Sequence, residues 1–158
     1  FLGHPGYALA VVLATLLAAS GVGSALSSWG CVRFGTRGFV RRVIAGVSVL
    51  LGFYAFGLAP LFHALLGWPL FARIAVAVPL VFAPGLAMGS LLPSGVRVAE
   101  TLGVEVVPWA WGLNGVASVV GSVAAIFLSM NLGFTAALLV GVGAYLLGLF
   151  VLPARPAA

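Results

Sequence analysis

Five uninterrupted apolar stretches decide what this chain can fold into. They cover residues 7–28, 43–66, 70–92, 106–130 and 132–152. A helix rising about 1.5 Å per residue needs about 20 residues to cross a hydrocarbon layer about 30 Å thick. Each stretch reaches that length. The apolar residues are continuous, whereas a barrel strand alternates and needs only about 10 residues. Backbone groups in lipid must be bonded within their own element, which leaves helices. The expected fold is therefore all-α, a polytopic transmembrane helix bundle of five spans, with residues 1–158 forming a single membrane domain. Charged residues make up 6% of the chain, against about 25% for a soluble domain.

The few charges carry the orientation. The chain has seven basic residues, all arginine, and two acids, Glu100 and Glu105, for a net charge of +5. Arg33, Arg37, Arg41 and Arg42 crowd into the expected first loop, "GCVRFGTRGFVRR", between two apolar spans. A basic segment placed there is a positive-inside signal and not a nucleic-acid groove, so no nucleic-acid partner is expected. With that segment in the cytoplasm, the N-terminus lies outside and the C-terminus inside. Arg97 and Arg155 then join the inner side, and Arg73 alone falls outside. Two tight outer turns are expected at 67–69, "GWP", and 130–133, "MNLG". The inner segment 93–107 reads as an interfacial loop, with Arg97 and Glu100 sharing one face of a short surface helix.

The stretch "PWAWGLNGVASVVGS", residues 108–122, stands out from its apolar surroundings. Pro108 suits the first turn of a helix, where its missing N–H costs nothing. Trp109 and Trp111 suit a membrane interface, with the ring buried and the N–H wet. Asn114 lies deeper, and an amide there requires another helix or a wet cavity. With Ser118 and Ser122 it defines a candidate polar pocket, flanked by the two tryptophans. Small residues four apart let helix backbones approach closely. Ala117/Gly121, Ser118/Ser122 and Gly121/Ala125 supply such a face here, with Gly115 among the small residues beside it. Ala19/Gly23, Ser20/Ser24 and Gly21/Ala25 supply one in the first span, and Ala137/Gly141 and Ala144/Gly148 one in the fifth. The expected close crossing is between the first and fourth spans, with the fifth as the alternative partner. In the third span, Pro84-Gly85 predicts a kink or break, because an internal proline removes a backbone hydrogen bond.

Several chemistries lack their residues. No acid, lysine or arginine lies in mid-span, as ion-coupled transport usually requires. No nucleophile has a base beside it, and no nucleotide-type glycine turn is present. Cys31 is the only cysteine, too few for an internal disulfide or a thiolate metal site. His4 and His63 fall on one side of the membrane, but near the ends of spans and not within them, so a bis-histidine haem is not expected. No catalytic, cofactor-binding or metal-binding residue is assigned. The chain reads as a piece or subunit of something larger.

Three segments together resemble a known family: "FLGHPGYALAVVLATLLAASGVGSALS", "GLAMGSLLPSGVR", and the region from "PWAWGLNGVASVVGSVAA" to "GFTAALLVGVGAYLL". They resemble the C-terminal membrane region of bacterial multi-pass, spermidine-synthase-like membrane proteins. The most specific element is Trp109, Trp111, Asn114, Gly115, Ser118 and Gly121 at their present spacing. In that family, membrane helices are joined to a soluble synthase-like domain, which is absent from this chain. The acidic residues that hold an amine there have no counterpart in a chain without aspartate. The resemblance implies a non-catalytic module of the bacterial inner membrane that anchors or scaffolds a fused soluble domain or other membrane chains. The alternatives are part of a small-solute transporter, with a polar site at Asn114 and Ser118 beside the Pro84-Gly85 break, and, more remotely, a cofactor subunit.

Overall fold

A computed structural model describes residues 1–152. Within them lie five α-helices: α1 (Pro5–Phe34), α2 (Thr36–Leu65), α3 (Leu70–Glu100), α4 (Val106–Leu132) and α5 (Phe134–Val151). All five are long and apolar enough to span a membrane. The chain is thus an all-α candidate integral membrane protein.

The helices run further than the apolar stretches, because arginine and glutamate are good helix formers once a helix has left the lipid. This corrects two expectations. The four-arginine segment is not a loop. Arg33 sits in the last turn of α1, and Arg37, Arg41 and Arg42 in the opening turns of α2. Gly35 alone joins the two helices, at φ 70°, a conformation that favours glycine. Residues 93–100 likewise belong to α3, so no separate surface helix forms, and only residues 101–105 connect α3 to α4. Gly133, at φ 86°, makes the other one-residue joint, between α4 and α5. Leu66–Pro69 connects α2 to α3.

The core forms where α1 crosses α3. Thr15, Ala19, Gly23, Ser27 and Cys31 recur every fourth residue along α1, and all are buried. Gly85 and Gly89 of α3 face them. A Cβ on Gly23 would run into the backbone of Leu86, and one on Gly89 into the backbone of Ser20. A Cβ on Gly85 would lie 2.9 Å from that of Ala19. The small residues therefore do what small residues do in lipid: they bring two backbones into contact, where dispersion and not hydrophobicity drives association. The expected α1–α4 crossing is not formed, since α1 packs on α3 and α2. The bundle continues through α2, which packs on α3 and α5; α4 leans chiefly on α5 and meets α3 only lightly.

Pro84-Gly85 does not break α3, which is helical throughout. Pro84 has no N–H to give the Leu80 carbonyl, one turn earlier. The Tyr54 hydroxyl of α2 donates to that carbonyl instead, at 2.8 Å. Gly85 beside it provides the close approach to α1. The proline-glycine pair is thereby absorbed into packing on both sides.

The arginines gather at one end. Arg97 donates to the Ser28 hydroxyl near the end of α1 at 2.6 Å, and Arg41 to the Leu152 carbonyl at the end of α5 at 3.4 Å. Arg33 and Arg42 both lie over the ring of Phe34. Arg73 belongs to the opposite end, where it donates to the Phe1 carbonyl at 2.7 Å and Phe1 stacks on Phe62. Arg155 lies outside the described residues.

Candidate functional site

The unusual part is the α4–α5 pair. None of the residues of α4 or α5 is buried, whereas α1, α2 and α3 each bury a defined face. At the helical repeat of 3.6 residues, Ala110, Asn114, Ser118, Gly121 and Ala125 fall on one face of α4. That face looks across a gap towards the walls made by α3 and α2.

The gap holds two grooves. The first, of about 600 Å³, lies between Met88, Leu92 and Val96 of α3, Ala110, Asn114 and Ser118 of α4, and Tyr145 of α5. It is the more polar of the two. The Ser118 hydroxyl donates to the Asn114 carbonyl of its own helix at 2.7 Å, and that of Ser122 to the Val119 carbonyl at 2.9 Å. Such back-bonding keeps a hydroxyl in lipid satisfied without outside help. The Asn114 carboxamide makes no hydrogen bond among the described residues, whereas Asn131 near the end of the same helix donates back to the Phe127 carbonyl at 2.8 Å. The second groove, of about 650 Å³, lies nearer the opposite end. It is lined by Tyr54, Leu58 and Phe62 of α2, Ala125 and Ser129 of α4, and Leu138 of α5.

The structure thus brings Asn114 and Ser118 to one groove but leaves Ser122 off it. Trp109 is 75% exposed and Trp111 54%, and neither lines the groove of Asn114. Trp109 borders a shallow apolar hollow with Pro108, Gly112 and Val116 instead. Pro84 and Gly85 do not border the groove either; its α3 wall starts at Met88, so the joint site of Asn114 and the proline-glycine pair is not formed. Tyr145 is the residue that sequence reasoning missed. It sits in "GVGAY", where the glycines draw attention to packing, and nothing in one dimension sets it opposite Asn114.

Among the glycines assigned to packing, a Cβ on Gly23 would run into another backbone and one on Gly141 would lie 3.9 Å from the Leu51 side chain. Cβ atoms placed on Gly21, Gly115, Gly121 and Gly148 would meet nothing within 4 Å. Ser24 is exposed. The histidines lie at the Arg73 end. His4 caps α1, its Nδ1 accepting from the Gly6 N–H at 3.1 Å, and His63 is exposed in the last turn of α2. Among the described residues, no three of the His, Cys, Asp and Glu side chains cluster as metal ligands would. No family model matches the chain, and neither a curated protein nor a solved structure matches it.

Proposed function

We propose that the chain is a non-catalytic membrane module that assembles with another membrane segment through the α4–α5 hairpin. One observation carries this reading: the Asn114 carboxamide is unpaired within a span. Leaving an amide without a hydrogen bond in an apolar medium costs several kcal/mol, which favours a hydrogen-bonding partner docked beside α4. A facing helix supplies it readily. Interhelical bonds of this kind contribute about 0.6–2 kcal/mol, and the unfilled surface at Gly115 and Gly121 leaves room for close approach. The resemblance described above makes a fused synthase-like protein of the bacterial inner membrane one candidate for the larger assembly.

The test is assembly size after mild extraction, read by native mass spectrometry. Asn114→Ala and Gly121→Leu are expected to release the partner, while Gly21→Leu, on an open face of α1, leaves it bound. If both α4 variants retain the full complex, the reading fails.

A second reading has its own observation. The groove at Asn114, Ser118 and Tyr145 is open and partly polar, as a small-solute site would be. Ser118→Cys in a Cys31→Ala background separates the two. Rapid labelling by a water-soluble maleimide marks a wet solute path; protection that ends only when the partner is stripped away marks a helix interface.

A further inference from the structure

A third groove lies on the far side of the bundle, at the arginine-rich end. Trp29 and Phe39 form its mouth, and it descends between α1 and α2 past Val43 and Gly46 to Leu86 of α3. Its volume is about 320 Å³ and its lining is almost wholly apolar. A Cβ on Gly46 would meet nothing within 4 Å, so the glycine leaves the channel open at mid-depth.

Two arginines lie near this mouth, around the ring of Phe34, which packs edge-on against Trp29 at 6.3 Å. Arg33 lies one turn beyond Trp29 on the same face of α1, and Arg42 one turn from both Phe39 and Gly46 on α2. Their guanidinium carbons sit 5.6 and 4.2 Å from the centroid of one ring, that of Phe34. Two like charges thus gather around one ring, and neither has an ion pair with a carboxylate among the described residues. Guanidiniums gathered in this way call for an anion, and the fork geometry of arginine suits phosphate. An apolar channel beside them calls for a hydrocarbon chain on the same molecule. From this juxtaposition we infer that Arg33, Arg42 and the α1–α2 groove hold an anionic phospholipid, its phosphate between the guanidiniums and one acyl chain running past Trp29 towards Gly46.

Trp29 reports on the site directly. In nanodiscs, a variant keeping Trp29 as its sole tryptophan is titrated with phosphatidylglycerol or phosphatidylcholine carrying brominated acyl chains, which quench a neighbouring indole. Brominated phosphatidylglycerol is expected to quench at a much lower mole fraction. Arg42→Gln reduces that preference roughly fivefold, the scale of one arginine at an anionic surface. Arg41→Gln, which removes the same charge from the next residue, leaves it unchanged. Gly46→Leu, which fills the channel, lowers quenching by both lipids. Inorganic phosphate at constant ionic strength does not displace the lipid. Equal quenching by the two lipids overturns the inference, as does an equal effect of the Arg41 and Arg42 variants. Displacement by phosphate alone also overturns it, because the arginines then bind a free anion and not a lipid.

Discussion

At the scale of single residues, the bond from Tyr54 to the Leu80 carbonyl shows how this fold accommodates proline inside a span. The carbonyl is free only because residue 84 has no N–H, and the phenol reaches it from the neighbouring helix at 2.8 Å. Tyr54→Phe is therefore expected to lower stability by about 1–3 kcal/mol, the cost of leaving a buried acceptor unpaired. Pro84→Ala returns an N–H to the helix, so the same tyrosine substitution should cost much less in that background. Thermal unfolding in detergent of the four members of this cycle measures the coupling. Equal losses in the two backgrounds would show that Tyr54 acts through its ring and not its hydroxyl.

The elements differ in how they use the same residue types. On α1, Ala19, Gly23 and Ser27 are buried against α3, while Gly21 and Ser24 on other faces of that helix are exposed. Gly23→Leu and Gly89→Leu would drive side chains into the backbones of Leu86 and Ser20, and overpacking of this kind costs about 1–3 kcal/mol or more. Gly21→Leu should stay within about 0.5 kcal/mol of the parent, as substitutions at open sites do. Melting temperatures of the three variants in one detergent decide it, and a loss at Gly21 matching that at Gly23 would mean that α1 packs on a different face. This contrast also marks what the sequence could convey. Helix type and number follow from apolar run length, because lipid leaves the backbone no other way to satisfy itself. Partner choice does not follow, because glycine and alanine at fourfold spacing occur on α1, α3, α4 and α5 alike and carry no directional label. Gly85 and Gly89 have the spacing that matches Ala19 and Gly23, yet beside Pro84 they read as a break. Asn114 was legible as a polar group needing an answer; Tyr145 across the groove was not, because only the fold brings α5 there.

For the whole molecule, charge asymmetry predicts an orientation. Arg33, Arg37, Arg41, Arg42 and Arg97 are gathered at one end of the bundle and Arg73 at the other. Translocating a cluster of guanidiniums is disfavoured, and their long stems let them sit at the interface with the charge in water. The arginine-rich end is therefore expected to face the cytoplasm, which puts the α3–α4 connector inside and the α2–α3 connector outside. Val104, 81% exposed in the first connector, and Gly67, unobstructed in the second, are suitable positions for a probe. In a Cys31→Ala background, Gly67→Cys should react with a membrane-impermeant maleimide in intact cells. Val104→Cys should react only after permeabilisation. Reversal of that pattern would mean that these five arginines do not govern insertion, and it would move the groove of Trp29 and Phe39 to the outer leaflet. The lipid site would then have to draw its phosphate from that side, while the packing of α1 on α3 would stand unchanged, since it depends on backbone approach and not on which way the bundle points.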